Sequence, residues 1–279
     1  MFSKVAGALL RAVLVALLVA TPSLLLPDTA SDTAQLVVVL AILASFMTFI
    51  EYYGRYPSIV EFRFAPPFNR LKFAALGLSV LLLSLILRGQ SHPTEFNMLL
   101  TLIGDGLGRA IDFPYSPVRL VVLMMPADAS PALIASVRTT AGVCYAISLT
   151  MMLIFVTCVR FHGWPLRHGA FNVWVNLPLF DPTAGGDVLY RLKRDAGLNI
   201  VLGSLLPFLI PAAVKAASDL IDPISIANPQ TLIWTMTAWA FLPASMLMRG
   251  IAMSRIAEMI EEKRRRAYAR AETEALQQA

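Results

Sequence analysis

The sequence predicts an all-α protein, a polytopic transmembrane helical bundle of about six spans, and three observations carry that class. Of its 279 residues, 57% are hydrophobic and only 15% charged, whereas a soluble domain carries roughly 25% charged residues. Several apolar runs reach the ~20 residues needed to cross a ~30 Å hydrocarbon layer. Lys and Arg, finally, collect in alternate loops, as the positive-inside bias of multi-pass proteins requires.

The spans fall near 5–27, 34–51, 71–88, 138–160, 196–215 and 230–249. The first follows Lys4 and is interrupted by Arg11 before "LLLPDTASD". It reads as a retained anchor, with Arg11 snorkelling toward the side of Lys4, because no small-x-small cleavage site is evident. A cleaved signal segment is the alternative. With the N-terminus inside, only Arg88, Arg109, Arg119, Arg138 and Lys215 lie outside, and the other 18 of the 23 basic residues lie inside. Acidic residues divide almost evenly, as expected when Lys and Arg set topology. Both termini are therefore expected in the cytoplasm. Arginine outnumbers lysine 18 to five, which suits a GC-rich bacterial source and hence a bacterial inner (plasma) membrane.

Between spans three and four, "EFNMLLTLIGDGLGRAIDF" repeats apolar residues at helical spacing: Met98, Leu99, Leu102, Ile103, Leu107, Ala110 and Ile111. Thr101, Asp105, Arg109 and Asp112 occupy another face, so an amphipathic helix at the outer interface is expected. Gly104, Gly106 and Gly108 weaken it unless something packs on it. Pro117 to Pro126 reads as a second short interfacial or re-entrant piece. Ser130–Pro131 reads as an N-cap and first-turn proline.

Two inner loops are rich in aromatics and arginine. Alternation over Val60-Glu61-Phe62-Arg63-Phe64 suggests a short strand, as does Phe171 to Val175, with a turn from Asp181-Pro182 to Gly185-Gly186. Past Arg249, apolar positions Met253, Ile256, Ala257, Ile260, Ala267, Ala271 and Ala275 continue the last helix into a charged tail over 250–279, separate from the membrane domain at 1–249. Glu261–Arg265 and Glu262–Arg266 stand at the favourable i,i+4 spacing.

That tail contains "EEKRRR", Glu261 to Arg266. As E-E-x-x-x-R it resembles the opening motif of the intramembrane CAAX-type proteases. The resemblance covers six residues and fails in context: the family's motif lies in a transmembrane helix and is completed by later histidines, whereas no histidine follows His168 here.

Other chemical signals are thin. His162 and His168 are six apart, no helical ligand spacing, and a metal shared with Asp181 is disfavoured. "GDGLG" at 104–108 follows no strand and does not make a phosphate loop. Cys144 and Cys158 read as buried hydrophobes. No cofactor, metal or nucleic-acid signature is present.

The remaining readings are binding and transport. Tyr52, Tyr53, Arg55, Arg63, Phe64, Trp164 and Trp174 are residue types enriched at interface hot spots, although an aromatic belt at the headgroups would use the same types. Lys263, Arg264, Arg265 and Arg266 in the tail would meet anionic lipid if the helix bends down, or a partner helix if it projects. The expected function is a non-enzymatic membrane protein that binds or helps assemble partner membrane proteins or its own copies. The alternative is a small-solute transporter or channel using the proline-kinked span at Pro207 and Pro211, with Pro243 in the next.

Overall fold

The computed structural model describes residues 2–27, 31–165, 171–180, 187–217 and 226–278, and among these it is all-helical. The elements are α1 (Phe2–Leu25), α2 (Ser31–Tyr53), α3 (Phe68–Ser91), α4 (Glu95–Ile111), α5 (Pro117–Leu123), α6 (Pro131–Phe161), α7 (Val173–Asn176), α8 (Val188–Ala217) and α9 (Pro229–Gln278). Six of them (α1, α2, α3, α6, α8 and α9) are long and apolar enough to cross a membrane. This is a membrane protein.

The helices outrun the apolar runs. α6 begins at Pro131, seven residues before its expected span, and α8 at Val188, eight before. Hydropathy marks the part that crosses hydrocarbon, but intrahelical hydrogen bonding continues through the polar interface without it. The cap at Ser130 forms as expected: its Oγ accepts the Leu133 N–H at 3.2 Å.

Packing is uneven across the bundle. Among the described helices α2 packs on α1 alone. Its buried apolar positions are Val37 and Ala41, facing a hairpin partner buried at Ala8 and Ala12. Leu36, Val39, Ile42 and Phe46 are left exposed, which suits a helix bathed in lipid on most sides. The centre is α3, α6 and α9, which share two apolar clusters. One holds Phe68, Phe155, Met248 and Ile256. The other holds Leu83, Val137, Cys144, Ile233 and Met236.

Where helices cross most closely, glycine sets the distance. A Cβ on Gly203 of α8 would stand 2.7 Å from the Pro243 carbonyl of α9, and one on Gly250 would stand 2.8 Å from the Ala196 carbonyl. Small residues let backbones approach like this in membranes, where lipid competes with any bulky apolar seam. The prolines join the same interface. Pro211 has no N–H, so the Pro207 carbonyl loses its helical donor. The Trp239 indole N–H of α9 replaces it at 3.1 Å.

One expectation needs correction. The strands at Val60–Phe64 and Phe171–Val175 do not form. Residues 61–64 make turns, with Phe62 at φ 53°, a left-handed conformation no strand tolerates. Residues 173–176 coil into the single turn α7. α4 is helical as expected, and what packs on the bundle is its glycine face. Its buried residues are Asn97, Gly104 and Gly108, while Met98, Leu99, Leu102 and Ile103 point outward. Backbone proximity to α6 demands glycine there, since a Cβ on Gly142 would lie 2.5 Å from the Gly108 Cα. The apolar face is thus free for lipid. α5 packs inward through Val118 and Val121, both fully buried.

Candidate interaction face

The loops rich in arginine and aromatics lie at one end of the bundle, the basic face, and there they fold onto each other. The organising residue is Glu51, in the last turn of α2. Its Oε1 accepts the backbone N–H groups of Ser58, Ile59 and Val60 at 2.7, 2.9 and 2.8 Å, and its Oε2 accepts the Ser58 hydroxyl at 2.7 Å. A carboxylate held by four donors is a strong local clamp. It winds the chain back against the end of the helix.

Arg63 closes the same turn. Its guanidinium donates to the carbonyl of Glu51 and, at 2.9 Å, to that of Gly54. Those carbonyls belong to the end of α2 and have no helical donor, so a cation there complements both their lone pairs and the helix dipole. Burial draws Arg63 below the ordinary arginine value, and the Glu51 carboxylate pulls it back. Tyr52 lies between two cations, 4.8 Å from Arg11 and 5.7 Å from Arg63. The snorkelling Arg11 has a ring to rest on.

The second tier is aromatic. Phe62, Phe68, Phe155 and Trp164 pack ring to ring with centroids 4.5 to 5.7 Å apart. Trp164 is 3% exposed, and its indole N–H donates to the Ala65 carbonyl at 3.1 Å. Asn176 in α7 then joins the two loops. Its carbonyl accepts the Phe62 N–H at 2.7 Å and its Oδ1 the Phe64 N–H at 3.1 Å. Glu61 receives a bidentate pair from Arg249 of α9, at 2.6 and 2.8 Å.

The expected contact residues therefore separate into two groups. Arg63 and Trp164 face inward and hold the cap together, and Tyr52 is half-buried between its cations. Tyr53, Arg55 and Phe64 are exposed, with Arg55 over the Tyr56 ring and Arg63 over the Phe64 ring. The backbone of Trp174 lies in α7, and its side chain falls outside the described residues, as do His168, Asp181 and the expected turn at 181–186. Glu51, Glu61, Asn176 and Arg249 complete the face. None has a partner at motif spacing. The one hint was Glu51 itself, a carboxylate at the end of a span, which has to find donors.

α9 carries the face outward. Its side chains remain in the core through Ala252, Met253, Ile256 and Ala257, then become uniformly exposed from Glu261 among the described side chains. The helix is unbroken to Gln278, so it projects and does not fold down. Two ion pairs brace its root on α8 and the residue before it, Lys193–Glu261 at 2.7 Å and Arg264–Asp187 at 3.0 Å. Glu261 is thus paired with Lys193 and not with the expected Arg265, whereas Glu262–Arg266 forms at 2.6 Å. Lys263 and Arg265 are exposed.

The proline region differs from both. Pro207 lines a cavity of about 210 Å³ with Tyr145, Ser148, Ser204 and Ala244. Among the described residues no cluster of His, Cys, Asp and Glu could hold a metal. Comparison with family models, characterised proteins and solved structures finds no match to this chain.

Proposed function

We propose that this protein is a non-catalytic multi-pass membrane protein that binds or helps assemble a partner membrane protein, using the projecting end of α9 and the exposed part of the basic face. The observation that carries the reading is the solvent-exposed helix from Glu261 to Gln278. It extends roughly 27 Å at 1.5 Å per residue, and an exposed helix draws no stability from tertiary packing of its faces. Beyond Arg266 no described contact to the rest of the bundle supports it. A partner helix laid along Ala267 and Ala271 would supply what the chain itself does not. The basic bias supports a cytoplasmic orientation for this face and both termini, and the excess of arginine over lysine suits a bacterial inner membrane.

The test is removal of residues 267–278, which leaves the ion pairs at the root and the buried Ala252–Ala257 segment in place. Full-length protein extracted in mild detergent is expected to carry a stoichiometric membrane-protein partner or a second copy. The shortened protein should insert normally and lose it. Identical complexes from both chains would overturn the reading. The cavity beside Pro207 favours a second reading, a small-solute transporter or channel through α8. Flux in proteoliposomes that Pro207→Ala changes would support it, and silence across a broad solute panel would remove it.

A further inference from the structure

We propose that the groove between α3 and α6, roofed by α4, holds one acyl chain of an anionic phospholipid whose headgroup meets Arg70. The groove has a volume of about 440 Å³ and runs from Leu71 to Ile86 of α3, against Val143 to Ile154 of α6. Its one polar side chain is Thr150, whose hydroxyl already donates to the Ala146 carbonyl at 2.8 Å. Nothing in it asks for a polar ligand.

Shape identifies the occupant. Fifteen residues of α3 rise roughly 22 Å, so about 440 Å³ corresponds to a mean cross-section of roughly 20 Å². A single extended hydrocarbon chain fits that section. One end is narrow. Gly104 of α4 packs closely there, away from the basic face, since a Cβ on it would lie 3.0 Å from Thr139 and 3.3 Å from Ile86, and the partly exposed Ile103 and Leu107 line the groove beside it. A chain therefore enters with its headgroup toward the basic face.

Charge identifies the headgroup. Arg70 lies four residues before Ala74 and eight before Leu78, which places it on the groove's stripe at the open end. It is exposed, and among the described residues it forms no ion pair. Phe161, seven residues beyond Ile154 on the facing helix, is 81% exposed at the same end and offers an apolar ring beside the groove's mouth.

Delipidated protein titrated with phosphatidylglycerol or phosphatidylcholine of equal chain length, with bound lipids counted by native mass spectrometry, tests this directly. The expected result is one phosphatidylglycerol bound about fivefold more tightly than phosphatidylcholine, the scale set by one basic residue beside anionic lipid. Arg70→Gln, an exposed substitution with no packing to lose, should equalise the two lipids. Ala74→Phe, which fills the groove at an exposed position, should abolish that bound lipid. Equal binding of both lipids by the unaltered protein, unchanged preference in Arg70→Gln, or an unchanged lipid count in Ala74→Phe would each overturn the proposal. Competition by glycerol phosphate alone would overturn it too, since a chain site needs the chain.

Discussion

The two ends of this bundle hold their short segments by opposite means. At the basic face, side chains reach into loops: Glu51 gathers three backbone N–H groups, Arg63 caps a helix, and Asn176 ties one loop to the other. At the far end, side chains step aside. α4 lies on α6 because Gly108 and Gly142 bring the backbones into contact. A polar clasp helps where the helix ends, as Asp112 bridges Arg119 at 2.9 Å and Arg138 at 2.7 Å. The difference follows the solvent. Loops near water have backbone groups to satisfy, whereas a helix whose outer face is apolar has already satisfied its own and needs only close packing.

The sharpest way to break the comparison is Gly142→Leu. The added side chain meets Gly108 backbone with no flexible group to yield, and the expected cost is about 3 kcal/mol or more, the upper range for overpacking. Thermal unfolding in detergent should show the loss, and Gly142→Leu unfolding like the native chain would mean that α4 is not seated as described. At the other end, Glu51→Ala removes the clamp while leaving α2 intact. The expected cost is about 2–3 kcal/mol, in the range for leaving backbone donors unpaired near a surface, with faster amide exchange confined to 58–60. Exchange unchanged there would show the clamp to be dispensable.

Gly106 sharpens the contrast. It lies between two glycines that touch α3 or α6, yet a Cβ there meets nothing within 4 Å. Gly106→Ala should stabilise α4 by about 0.5–1 kcal/mol through helix propensity alone. Destabilisation would mean that this face is also occupied.

The smallest effect is expected at the root of the α9 arm. The Leu189 N–H and Arg264 hold the exposed Asp187 carboxyl below its ordinary value of 3.8. A depressed carboxyl contributes above its unfolded value and stops contributing as pH falls through the folded one. A spin label at Ala271 should keep the same mobility from pH 8 to about pH 5 and loosen only below about pH 4. Loosening near pH 6 would point to another group.

How far these features were legible follows the range of the interaction. The six spans, the Ser130 cap and the helical nature of α4 rest on neighbours within a few residues, and each could be read directly. Even the need for something to pack on the glycines of α4 was visible. What would pack there was not, because the α6 residues that meet Gly104 and Gly108 lie outside any short window around them. The short strands failed for a related reason. Alternating Glu61-Phe62-Arg63-Phe64 looks extended, but Arg63 is drawn to the end of α2, and Phe62 is drawn under Trp164.

By itself, then, the sequence determined that this chain enters a membrane, about where it crosses, and which loops carry its positive charge. Transfer from water to hydrocarbon and helix capping are local free energies summed over short windows. Only the tertiary structure decided that Arg63 and Trp164 face inward, that Glu61 finds Arg249 188 residues away, that Trp239 replaces the donor Pro211 lacks, and that α9 stays buried past Arg249 before projecting. Those outcomes depend on which helices become neighbours. No short window of residues contains that information.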